Sequence, residues 1–143
     1  MVGNLRLIDH LGNYHRISRT FKEGLTLKAV LLVSAGGILG SLTRLTLGLF
    51  FPTTAQGNLS ANIIASALAA FFLVLMERRG ITELRWFLLP GFCGGLGTFS
   101  AITYEVIERG EGGGPLYLFL NVVLCIIAVA VVIPFARKWV PVR

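Results

Sequence analysis

F-C-G-G-L-G-T-F-S, residues 92–100, sits in the middle of a stretch otherwise apolar enough to span a bilayer. Gly91, Gly94, Gly95 and Gly97, preceded by Pro90, argue against an intact helix there. Glycine lowers helix stability, and proline removes a backbone hydrogen bond. Unwound backbone at membrane depth survives only where protein buries it or where it lines a watery cavity. Such an interruption frees carbonyls that can hold a cation, and it exposes half-helix N-termini that favour an anion. The segment therefore points to ion handling.

Outward from this stretch, four segments reach about the 17–25 residues that a helix needs to cross a bilayer. They are Ala29–Phe51, Leu59–Met76, Trp86–Ile107 and Leu116–Ala136. With 55% hydrophobic and 14% charged residues and a mean hydropathy of +0.76, the chain reads as an all-α membrane protein. Its connections are short, so residues 29–143 form one domain of four transmembrane helices, the third broken, preceded by a basic segment over 1–28.

Cys93 and Cys125 both fall inside apolar spans, far from His10 and His15, so metal-ligand spacing is missing and both cysteines read as packing residues. The net charge of +6 would suggest nucleic acid in a soluble chain; here the basic residues flank spans and meet lipid headgroups instead. Catalytic motifs are absent, which argues against an enzyme.

The basic residues also set topology. Arg6, Arg16, Arg19, Lys22 and Lys28 precede the first span, Arg78, Arg79 and Arg85 lie in the second connection, and Arg137, Lys138 and Arg143 lie in the tail. All of these fall on one side, against Arg109 alone on the other, while Arg44 lies within the first span. The positive-inside rule places both termini in the cytoplasm of a multi-pass protein of the cell's inner membrane. Within residues 1–28, Leu7, Leu11, Tyr14, Phe21 and Leu25 share a helical face opposite Arg16, Arg19, Asp9 and Glu23. That suits an interfacial helix, although Gly12 and Gly24 interrupt the pattern and leave a basic tail as the alternative.

Polar residues inside the spans form stripes. Asn58, Asn62 and Ser66 recur every four residues in the second span, as do Tyr117, Asn121 and Cys125 in the fourth. A carboxamide in hydrocarbon is costly without partners, so these stripes face each other, a pathway or another subunit. Both interhelical glue and pathway lining satisfy that demand.

Gly91 to Glu105, G-F-C-G-G-L-G-T-F-S-A-I-T-Y-E, resembles the signature of the CrcB/Fluc fluoride channels, which runs approximately G-F-C-G-G-(F/L)-T-T-F-S-T-F-x-x-E. Gly36, Gly37, Gly40, Ser41 and Arg44 resemble the family's first-span pattern, Gly57, Asn62 and Ser66 its second, and Tyr117 its fourth-span tyrosine. The resemblance implies a four-span protomer that pairs antiparallel with a second subunit around two narrow fluoride pores. It implies pore-lining roles for Asn58, Asn62, Phe99, Ser100, Ile102, Tyr117 and Asn121. It further implies a structural sodium ion at the dimer interface, held by the backbone carbonyls of Gly94 and Gly97. Fluoride is small and strongly hydrated, so donors such as the Asn62 amide and the positive edge of the Phe99 ring would replace its water.

The chain departs from that pattern at pore-side positions. Ile102 stands where the family has a second phenylalanine, Ala101 and Asn58 where it has threonines, and Asn121 where it has a serine. Ile102 offers no ring edge to an anion. Because each pore draws on both subunits, a paralogous partner would supply what is missing, and the one-sided basic charge favours such a partner over an identical chain. Arg44 and Glu105 are intramembrane charges, read as structural or vestibule groups. Two other classes fit the architecture. A small cation exporter needs a carboxylate in its first span, and none lies there; a non-conducting structural or regulatory subunit is the other.

Overall fold

The computed structural model describes residues 27–80 and 84–141. The helix expected over residues 1–28 lies outside them except for its last two residues. The chain divides into two units, Met1–Leu31 and Leu32–Arg143. Of the first, only the opening of one helix is described; the sites below belong to the second.

All regular structure among the described residues is helical. It runs α1 (Leu27–Gly48), α2 (Thr54–Arg79), the single turn α3 (Leu84–Trp86), a π-helical segment (Phe87–Cys93), α4 (Gly94–Leu96) and α5 (Ser100–Trp139). Among the described residues, three helical stretches are long and apolar enough to cross a membrane: Leu27–Gly48, Thr54–Arg79 and Leu84–Trp139, with mean hydropathies of 1.6, 2.2 and 3.0 over 18-residue windows. At most 33% of the most apolar window of any of them is buried within the protomer. A water-soluble chain would hide such surface, so these helices face lipid or other protein.

Local chemistry sets the helix ends. The Thr53 hydroxyl accepts from Gln56 N–H at 3.3 Å to open α2. Gly80, at φ 64°, closes it by donating to Met76 O at 2.9 Å. Pro90 lacks the N–H that would bond Trp86 O, and the wider π turn over Phe87–Cys93 absorbs its ring. Within α5, Gly110 takes φ 64° and ψ −162°, which divides the helix into two arms. A Cβ on Gly114 would collide with the Val106 carbonyl, so the two arms meet backbone to backbone just past that turn.

Two clusters fix α2 against its neighbours. Ala55, Ile102 and Tyr117 are buried together, flanked by Leu59, Val106 and Leu118. Ala61, Ala65 and Leu96 form the second, with Leu47, Leu68 and Phe92 around them. Small residues dominate because apolar burial gives little drive between helices in lipid, where close backbone approach supplies the contact.

Candidate functional site

The helical backbone ends at Leu96 and resumes at Ser100, with Gly97 extended at φ −74° and ψ 156°. In a continuous helix the Thr98 N–H would bond Gly94 O. Here it donates to Asn62 Oδ1 at 2.6 Å, while Asn62 Nδ2 donates to Thr98 O at 3.1 Å. The carboxamide thus satisfies the donor and the acceptor of one unwound residue together, and its orientation follows, since only Oδ1 can accept. One turn on, Ala101 N–H, whose helical partner would be Gly97 O, takes Thr98 Oγ1 at 3.3 Å. Side chains therefore replace the carbonyls of Gly94 and Gly97 as acceptors and leave those two oxygens without their helical donors. Carbonyl oxygens freed of their helical donors are the ligand type a hard cation takes, so the backbone here is compatible with the sodium ion that the resemblance implies.

Asn62 is committed twice. Its second proton goes to Asn121 Oδ1 at 3.3 Å, and the Cys125 thiol lies 3.8 Å from the same oxygen. Asn121 is 2% exposed, and its Nδ2 has no acceptor within 3.5 Å. The two polar stripes read from the sequence meet at this pair: Asn62 serves the backbone, and Asn121 keeps the free donor. Both line an open groove of about 490 Å³ with Ser66, Cys93, Gly94, Gly97 and Phe99 along it. Phe99 is 67% exposed, which leaves its ring available. Ile102 touches the groove but is buried in the Ala55–Tyr117 cluster, where it serves as core.

Thr98 also borders a second cavity of about 460 Å³, lined by Arg44, Thr54, Asn58, Ser100, Tyr104 and Glu105. The interruption is therefore the wall common to both spaces. Glu105, 5% exposed, accepts from Thr54 Oγ1 at 2.8 Å and faces Arg109 Nε at 3.6 Å. Tyr117 is buried, its hydroxyl donating to Ala55 O at 2.9 Å, and the Arg109 guanidinium stacks 4.9 Å above its ring centroid. Tyr117 thus ties α2 to α5 and shields an ion pair.

This geometry has relatives. A family model described as CrcB-like protein, Camphor Resistance (CrcB), matches residues 31–133. The chain belongs to the CrcB family. Among its relatives is a protein of Rhizobium leguminosarum bv. trifolii named fluoride-specific ion channel FluC, 39% identical over 110 residues, which covers 69% of this chain and 88% of that one. A protein of the same name from Ruegeria is 37% identical over 121 residues, 76% and 94% of the two chains. Another, from Bacteroides fragilis, is 35% identical over 119 residues, 72% and 91%. Membership in CrcB, a family of transporters rather than enzymes, and the exposed apolar helices make the chain a multi-pass membrane protein.

Sequence reasoning missed three residues of this CrcB site. Thr98 lies inside the glycine-rich segment, yet its backbone and hydroxyl together terminate and restart the helix. Thr54 and Arg109 flank spans and looked like ordinary ends; only their convergence on Glu105 marks them.

Proposed function

We propose that the chain is a subunit of a fluoride-selective channel that lets fluoride leave the cytoplasm. The observation that carries this reading is that the buried Asn121 Nδ2, without an acceptor, and the exposed Phe99 ring share a groove whose backbone Asn62 holds open. An N–H donor stripped of water and an aromatic edge suit a small, hard anion better than a large one. The relatives named as fluoride channels agree with it.

On this reading Leu84–Trp139 crosses the membrane twice, the turn at Gly110 lying between passes, and the interruption after Leu96 sits at mid-depth. Both termini are cytoplasmic, in the cell's inner membrane. The open groove is closed by a second subunit inserted the opposite way, and the carbonyls of Gly94 and Gly97 share a sodium ion with their counterparts. In the protomer, the side-chain direction of Gly94 meets nothing nearer than Leu89 O at 3.9 Å, which leaves that face free for a partner. The eleven-to-one basic bias makes insertion of identical chains in both directions unfavourable, so the partner is a paralogue with the opposite bias. Ile102, packed as core where a ring would face the pore, supports a second reading in which this chain shapes the assembly and its partner conducts.

Fluoride efflux from liposomes tests the proposal. Flux with the chain and a homologue of opposite bias, absent with either alone, is expected; fluoride-tight liposomes for every pairing would refute conduction.

A further inference from the structure

Glu105 places a carboxylate, its side chain 6% exposed, on the wall of the cavity shared by Arg44, Asn58 and Ser100. A negative charge buried beside an anion's path is a barrier unless something balances it. Thr54 supplies one donor at 2.8 Å, and Arg109 supplies a full positive charge at 3.6 Å. Arg109 is itself held in place by the Tyr117 ring 4.9 Å beneath its guanidinium. That ring is within reach because Gly110 turns the chain and Gly114 lets the returning arm touch Val106. Arg109 is also the basic residue that departs from the one-sided charge of the chain, on the side where cations are otherwise lacking.

We propose that Arg109 is a positioning residue for anion passage: it neutralises Glu105, so that the cavity between Thr98 and Thr54 does not repel a fluoride ion. The proposal rests on the fluoride reading above. Its argument is independent of the pore donors, because neither Arg109 nor Glu105 touches the Asn62–Asn121 pair in the hydrogen-bond network described.

The test is fluoride efflux from liposomes holding the conducting assembly, with assembly checked by gel filtration. Arg109→Gln should slow efflux about tenfold, the order expected of one uncompensated charge acting across a partly screened cavity. Arg109→Lys should keep most of the flux, and the double variant Glu105→Gln with Arg109→Gln should restore it, since no charge is then left to balance. A structural strut would not be rescued by removing its partner. Wild-type flux in Arg109→Gln overturns the proposal, as does a double variant as slow as the single one. If Arg109→Gln fails to assemble, Arg109→Lys and the double variant decide in the same way. Wild-type assemblies that pass no fluoride sink the channel reading and this proposal with it, whereas a conducting wild type indifferent to Arg109→Gln sinks this proposal alone.

Discussion

The backbone around Gly91–Thr98 is gripped from two sides by opposite means. On the α1 side the grip is made of absent side chains: a Cβ on Gly36 or Gly40 would run into the carbonyls of Phe87 and Phe92, and one on Gly95 would lie 2.5 Å from Gly37 O. On the α2 side it is made of a carboxamide that replaces lost backbone hydrogen bonds. The first seam specifies shape and the second specifies chemistry. An irregular backbone in lipid needs both, because close approach alone leaves polar groups unpaired and a clamp alone leaves a void.

The largest effect is expected on the polar side. Asn62→Leu strands the N–H and C=O of Thr98 and should cost roughly 2–6 kcal/mol, at about 1–3 kcal/mol for each buried group left unmet. Thermal unfolding in detergent should show the loss of stability, and flux should vanish. Survival of both would make the clamp dispensable and reduce the comparison to packing.

A smaller effect belongs to the glycine seam. Gly40→Ala forces a methyl against Phe92 O and to 2.8 Å from Leu96 N, which should cost about 1–3 kcal/mol because both neighbours are backbone and cannot step aside. The smallest belongs to Gly37, one residue along from the seam's Gly36, where an added Cβ meets nothing within 4 Å. Gly37→Ala should be neutral or should stabilise α1 by up to about 1 kcal/mol through helix propensity. Equal losses at Gly40 and Gly37, read by the same melting measurement, would show that the seam is not specified residue by residue.

Apolar runs and the spacing of polar residues made the all-helical membrane character legible, since both are local properties of the chain. The stripe at Asn58, Asn62 and Ser66 and the one at Tyr117, Asn121 and Cys125 were legible as stripes. Their division of labour was not. Whether a carboxamide serves the backbone or stays free depends on which groups stand opposite it, and Thr98 comes opposite Asn62 only once the chain has bent. Ile102 illustrates the same limit: the resemblance put it with the pore positions, and in the fold it packs against Ala55 and Tyr117 while still bordering the groove. Thr54 and Arg109 were invisible as a pair because they stand 55 positions apart, on different helices.

The central claim is that the donor and the ring along the groove select a small, strongly hydrated anion. Fluoride and chloride efflux, measured side by side from liposomes holding the same conducting assembly, tests it most directly. Rapid fluoride loss with chloride retained is the predicted result, and equal loss of the two ions would contradict the account.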